Sequence, residues 1–133
     1  MAILGFDPGR DKCGIAIVEQ TNELLWHQVV AASVVIEQIQ QLSHQFSLDL
    51  IVMGDQTTAN QWKAAIEKVM ISSLLVVMVD ERNSSLEARE RYWQMYPPQG
   101  LQRFIPQGMR LPPRPIDDIV AILLIERYLA TIN

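Results

Sequence analysis

Carboxylates punctuate this chain at the ends of its apolar runs. Asp7 closes the run 2–6 and is followed by Pro8 and Gly9; Asp55 comes after the run 48–53 and Gly54; Asp80 and Glu81 come after the run 74–79. Asp117 and Asp118 open a long apolar segment near the C-terminus. Taken singly, Asp7 reads as a turn cap. Brought to one edge, three to five such acids would repel one another unless hard cations sat among them. A ligand set made only of carboxylate oxygens suits Mg²⁺ or Mn²⁺ rather than zinc. The chemistry open to such a cluster is metal-ion catalysis.

The elements that must position these acids follow from apolar spacing. Residues 2–6 have the length of a buried strand, and the run 14–18 follows so soon that the two can pair only as an antiparallel hairpin. Residues 24–32, reached through Thr21, Asn22 and Glu23, predict a third strand. Ser33 is placed to cap a helix with Val34, Val35, Ile39 and Leu42 on one face, ending within residues 44–47. The run 48–53 predicts a fourth strand. Thr57 or Thr58 would cap a helix with Trp62, Ala65, Ile66 and Val69 inward, and 74–79 predicts a fifth strand. Ser84 and Glu87 have capping-box spacing for a helix to about Tyr96, halted by Pro97 and Pro98. From 97 to 115 the chain holds six of its seven prolines and two glycines without periodicity, which predicts an irregular, mobile loop. Pro115 suits a helix start, and the last helix is expected over about 116–130, with Ala121, Leu124, Ile125 and Tyr128 inward and Glu126, Arg127 and Ala130 outward.

The order predicts an α/β fold with a mixed five-stranded sheet, three strands antiparallel and then two parallel, and helices on both faces. The carboxyl ends of parallel strands share one edge, which collects Asp7, Asp55 and Asp80 or Glu81. A closing helix that starts at that edge adds Asp117 and Asp118. A helix dipole accounts readily for one acid in the first turn, less readily for two beside an inward face.

The 133 residues predict one domain, 1–133. No apolar run is long enough to span a bilayer and no signal peptide opens the chain, so a soluble, cytoplasmic protein without a membrane partner is expected. The lone Cys13 has no disulfide partner and reads as a small packed residue. A net charge of -4 argues against a generic nucleic-acid coat. The charge is uneven, however: six arginines (82, 89, 91, 103, 110, 114) face only Glu87 and Glu90 within 82–114, a local excess of four. Arginine alone, without lysine, favours phosphate contact. Arg82, Arg110 and Arg114, with Arg10 and Lys12 in the first turn, are the expected nucleic-acid contacts.

Three segments carry a resemblance: Gly5-Phe6-Asp7-Pro8-Gly9 with Gly14-Ile15-Ala16; Asp80-Glu81-Arg82-Asn83-Ser84-Ser85-Leu86-Glu87-Ala88-Arg89; and Asp117 within an apolar helix. Together they resemble the YqgF/RuvX family, Holliday-junction-resolvase-like proteins with a ribonuclease H-like fold and a role in processing the 5′ end of precursor 16S ribosomal RNA. The resemblance implies a nuclease acting on precursor ribosomal RNA or Holliday-junction-like DNA, with Mg²⁺ or Mn²⁺ as cofactor and Asp7, Glu81 and Asp117 as the catalytic, metal-holding acids. Two departures stand out. Where the family usually has glycine, an apolar residue and proline, this chain has Gly54-Asp55-Gln56, which adds an acid near the place where junction resolvases keep a glutamate. The loop before the last helix is unusually rich in proline, with Arg114 near a basic position common in the family. Asp55 and Asp118 are therefore candidates for additional metal ligands, Asp55 because a strand end at the shared edge would aim it toward Asp7.

Two other function classes compete. One is a nucleic-acid-binding module that keeps the fold without turnover. The other is a sugar-kinase-like phosphate binder, which needs two such domains where this chain has room for one. Monomer and homodimer are both compatible with the sequence.

Overall fold

The structure, a computed structural model, describes residues 2–56, 58–70 and 74–132. Its central strand is β1 (Ala2–Asp7), buried along its whole length. β2 (Lys12–Glu19) returns antiparallel to β1 with Gly14 opposite Asp7, and β3 (Leu24–Ala31) continues the meander. On the other flank β4 (Leu48–Gly54) and β5 (Leu75–Val79) pair in parallel, giving the order β3-β2-β1-β4-β5. The mixed sheet expected from the sequence is therefore present.

A strand without polar alternation must be covered on both faces, and β1 is. Leu4 and Phe6 point to a core shared with Ile15, Ile51 and Met53 and roofed by α1 (Val35–Gln45) and α2 (Ala59–Val69). Ile3 points the other way, to a core with Ala16 and Val52 under α3 (Ser84–Met95) and α4 (Asp117–Ile132). The period of two then sends Asp7 to the α3/α4 side. The helix α4 is apolar on several sides because it is wedged between the sheet and α3, and residues 118–125 are buried without a break. Arg91 and Glu126 clamp the two helices with paired hydrogen bonds of 2.9 and 2.7 Å.

Local details differ from expectation. Ser33 does not cap α1: residues 32–34 form a 3₁₀ turn, the residue before the helix is Val34, and Val34 is exposed rather than inward. The capping box at Ser84 and Glu87 is also absent. Asn83 takes the cap position in a left-handed conformation (φ 62°), Ser84 is already the first helical residue, and Glu87 bonds Arg127 instead. Asparagine tolerates that conformation, so the turn after Arg82 can close without a hydroxyl. Thr58 precedes α2 without a side-chain bond, while Thr57 lies outside the described residues. The segment between α3 and α4 contains two 3₁₀ turns, Gly100–Phe104 and Gln107–Met109. No helix among the described residues is long and apolar enough to cross a membrane.

Candidate active site

Three of the predicted acids meet. Asp7 at the end of β1, Glu81 just beyond β5 and Asp117 at the start of α4 line one cleft of about 350 Å³, with Pro8, Gln56, Ser84 and Ser85 completing the walls. Two glycines make the approach possible. Gly14, opposite Asp7 on β2, lies against the backbone of Asp117, where any Cβ would collide with the peptide. Gly54, at the end of β4, leaves the space that the Glu81 carboxylate occupies.

The amide of Gln56 spans the acids. Its Nε2 donates to Asp7 Oδ1 at 3.2 Å and to Glu81 Oε2 at 3.1 Å. Asp7 and Asp117 also share a hydrogen bond. Burial, with the neighbouring charges of Asp117 and Glu81, pushes the Asp7 carboxyl up from 3.8 to about 8. Asp117 is also pushed up, chiefly by burial, while its bonds and the nearby Lys12 charge pull it partly back. At neutral pH Asp7 therefore keeps its proton and donates it toward Asp117, the response of clustered acids that lack a cation. The donor chemistry fits a hard divalent ion: all three facing groups are carboxylates, and a cation would replace the proton that Asp7 holds. In their present rotamers no group of three or more His, Cys, Asp or Glu among the described residues is disposed to hold an ion.

The remaining candidates go elsewhere. Asp55 is exposed and absent from the cleft wall; its backbone N–H continues the ladder to Val79, so the next residue, Gln56, is the one turned inward. Asp118, 2% exposed, receives Nδ1 of His27 on β3 at 2.6 Å and both terminal nitrogens of Arg114 at 3.0 and 3.4 Å. Its partners hold it apart from the cleft, beside a second cavity lined by Lys12, His27 and Arg114.

The basic residues divide in the same way. Arg110 bonds the carbonyls of Gln102, Ile105 and Arg103, and Arg114 also lies over the rings of Tyr92 and Tyr96. An irregular loop has carbonyls without a ladder partner, and the arginine fork satisfies them. Both guanidinium groups thus have partners within the chain while staying partly exposed. Arg10, Lys12 and Arg82 are exposed; Lys12 lines the second cavity and Arg82 a further one beside Asp80 and Arg127. The sequence reading missed Gln56 and His27. For Gln56 the signal was its place directly after a strand-end acid; for His27, a lone imidazole in a strand, there was none.

No protein-family model and no curated protein matches the sequence. Solved structures do match in shape. The Thermus thermophilus RuvC structure in complex with a Holliday junction substrate aligns with a TM-score of 0.61 over 93% of this chain and 89% of that one, at 19% identity. The fowlpox virus Holliday junction resolvase aligns with a TM-score of 0.65 over 100% of both chains, at 13% identity. The chain has a ribonuclease H-like fold. At these identities the likeness speaks for the ribonuclease H-like fold and leaves activity to the site itself.

Proposed function

We propose that this protein is a metal-dependent nuclease of the YqgF/RuvX type that hydrolyses phosphodiester bonds in branched or structured nucleic acid. The observation that carries the reading is the meeting of Asp7, Glu81 and Asp117 in one cleft, at the cost of a proton held on Asp7 up to about pH 8. These three carboxylates would hold Mg²⁺ or Mn²⁺. A pair of such ions, when bound, supplies an activated water and charge stabilisation at the leaving oxygen. The chain's own part is positioning. Asp7 is fixed by the buried strand it terminates, Asp117 by the contact of α4 with Gly14, and Glu81 by the gap over Gly54. Gln56 orients Asp7 and Glu81 relative to each other. The exposed Arg10, Lys12 and Arg82 meet the backbone phosphates.

The substrate we propose is either the 5′ end of precursor 16S ribosomal RNA or a four-way DNA junction; of the neighbours in fold named above, one is bound to a Holliday junction substrate and the other is a Holliday junction resolvase, which favours the latter. A second reading, nucleic-acid binding without turnover, draws support from the closed arrangement in which Gln56 and a proton satisfy the acids.

One assay decides between them. Purified protein is incubated with Mg²⁺ or Mn²⁺ on labelled four-way junctions, precursor ribosomal RNA fragments and linear duplexes, beside Glu81→Gln. Cleavage of a branched or structured substrate that Glu81→Gln abolishes is expected. Binding without cleavage at any metal concentration would favour the second reading.

A further inference from the structure

Residues 91–116 contain no aspartate or glutamate, yet hold Arg91, Arg103, Arg110 and Arg114. Within this span the connection between α3 and α4 exposes a row of large apolar side chains: Leu101 at 84%, Phe104 at 77%, Met109 at 71% and Leu111 at 68%. So much clustered apolar surface is unusual for a chain that leaves it in water. The loop is nonetheless built. Arg110 ties its two 3₁₀ turns together through Nε, 3.0 Å from the Gln102 carbonyl and 2.8 Å from that of Ile105. Arg114 anchors the far end to Asp118 and the Tyr92 ring. Internal bonds thus hold the backbone in place while the apolar side chains stand outward. The guanidinium of Arg103 lies 5.7 Å from the centroid of the Phe104 ring. The loop leaves the far end of α3 at Met95, and its other end leads into the cleft through α4, which starts with Asp117.

We propose that this ridge is a wedge for unstacked bases. Phe104, with Leu101 and Met109 exposed in the same loop, packs against a base splayed from a branch point or a single strand, and the exposed Arg103 beside its ring meets the neighbouring phosphates. The proposal rests on the nuclease reading above. Charge favours nucleic acid over a contact between two such ridges, because that contact would set Arg103 and Arg110 against their copies without an acid in the loop to answer them, whereas phosphates complement them. The composition agrees. Aromatic surface interleaved with arginine is what sequence-tolerant base stacking uses, and apolar wedges between base steps are a recurrent way to hold distorted nucleic acid.

The test measures binding in Ca²⁺ to a four-way DNA junction carrying 2-aminopurine at its branch point, to single-stranded RNA and to a linear duplex of equal length. Phe104→Ala, an exposed position whose loss leaves the fold intact, should weaken junction binding on the order of 10-fold and abolish the 2-aminopurine response. Its duplex affinity should stay within about twofold of wild type, since phosphate contacts carry that binding. Phe104→Trp should restore the junction affinity. The wedge is overturned if Phe104→Ala, even combined with Leu101→Ala and Met109→Ala, binds the junction as wild type does. It is equally overturned if sedimentation shows a dimer that Phe104→Ala splits, which would make the ridge a self-association face. Wild-type protein that binds none of the three probes overturns the nuclease reading, and the wedge with it.

Discussion

Gly14 lies beneath the backbone of Asp117 with no room between them for a Cβ. Since Gly14 also pairs with Asp7 across the hairpin, one missing side chain sets the separation of two of the three clustered acids. Gly14→Ala is expected to lift the first turn of α4 and destabilise the protein by about 1–3 kcal/mol, the usual cost of overpacking. Urea unfolding checks the stability. A parallel loss of metal-induced stabilisation in the same variant would show that Asp117 has moved.

The element order was legible because it rests on short-range regularities: runs of buried strand length and the shared edge of parallel strands are visible in spacing. Spacing also gathered acids at that edge, but it left Asp80 or Glu81, and Asp117 or Asp118, open; the family resemblance singled out Asp7, Glu81 and Asp117. What escaped depends on three-dimensional demand. Which groups Arg110 and Arg114 bond within the chain depends on which loop carbonyls and which buried acid need a donor. Whether Asp55 or Gln56 faces the cleft depends on where the ladder to Val79 lets β4 turn away. Ser84 and Glu87 looked like a cap because the left-handed Asn83 carries no signature beyond being asparagine.

The proton on Asp7 predicts how stability responds to pH in the metal-free protein. The folded carboxyl holds its proton up to about pH 8, whereas in the unfolded chain it is released near the ordinary 3.8. Between those values the native state binds more protons, so stability should be fully present below about pH 4 for this group and fall as pH rises through 8. Asp7→Asn should flatten this slope. Thermal unfolding in EDTA over this range measures it, and a wild-type profile that climbs from pH 5 to 8 without an Asp7 contribution would contradict the assignment. Added Mg²⁺ or Mn²⁺ should restore most stability at the alkaline end, where the three acids are all charged.

Asp118 is expected to act as an anchor and not as a metal ligand. Its carboxylate is buried and met by His27 and Arg114. Removing a partner from a buried charge commonly costs on the order of 3–5 kcal/mol, less where the partner is partly exposed, as Arg114 is. Arg114→Ala should therefore lower the melting temperature, and Asp118→Asn should do so while leaving the Mn²⁺ concentration needed for cleavage unchanged. Asp55→Asn should alter neither quantity. A raised metal requirement in either Asn variant would return that residue to the ligand set.

Gln56 offers the sharpest test of how the acids are tuned. Its amide donates to Asp7 and Glu81 at once, and its bond to Asp7 favours the charged carboxylate against the burial that opposes it. In Gln56→Ala that support is gone, so Asp7 should hold its proton more tightly and a divalent ion must compete with it at neutral pH. The expected result is a 10- to 100-fold rise in the metal requirement, roughly the range seen when groups that orient ligands are removed. That defect should shrink as pH is raised to 9, where the proton leaves Asp7 without help. Metal titrations of cleavage at pH 7 and 9 separate this from simple loss of structure, which would persist or worsen at high pH. If Gln56→Ala instead lowered the metal requirement at pH 7, the amide would be a competitor that occupies the ion's place, and the closed arrangement of the acids would be a resting state.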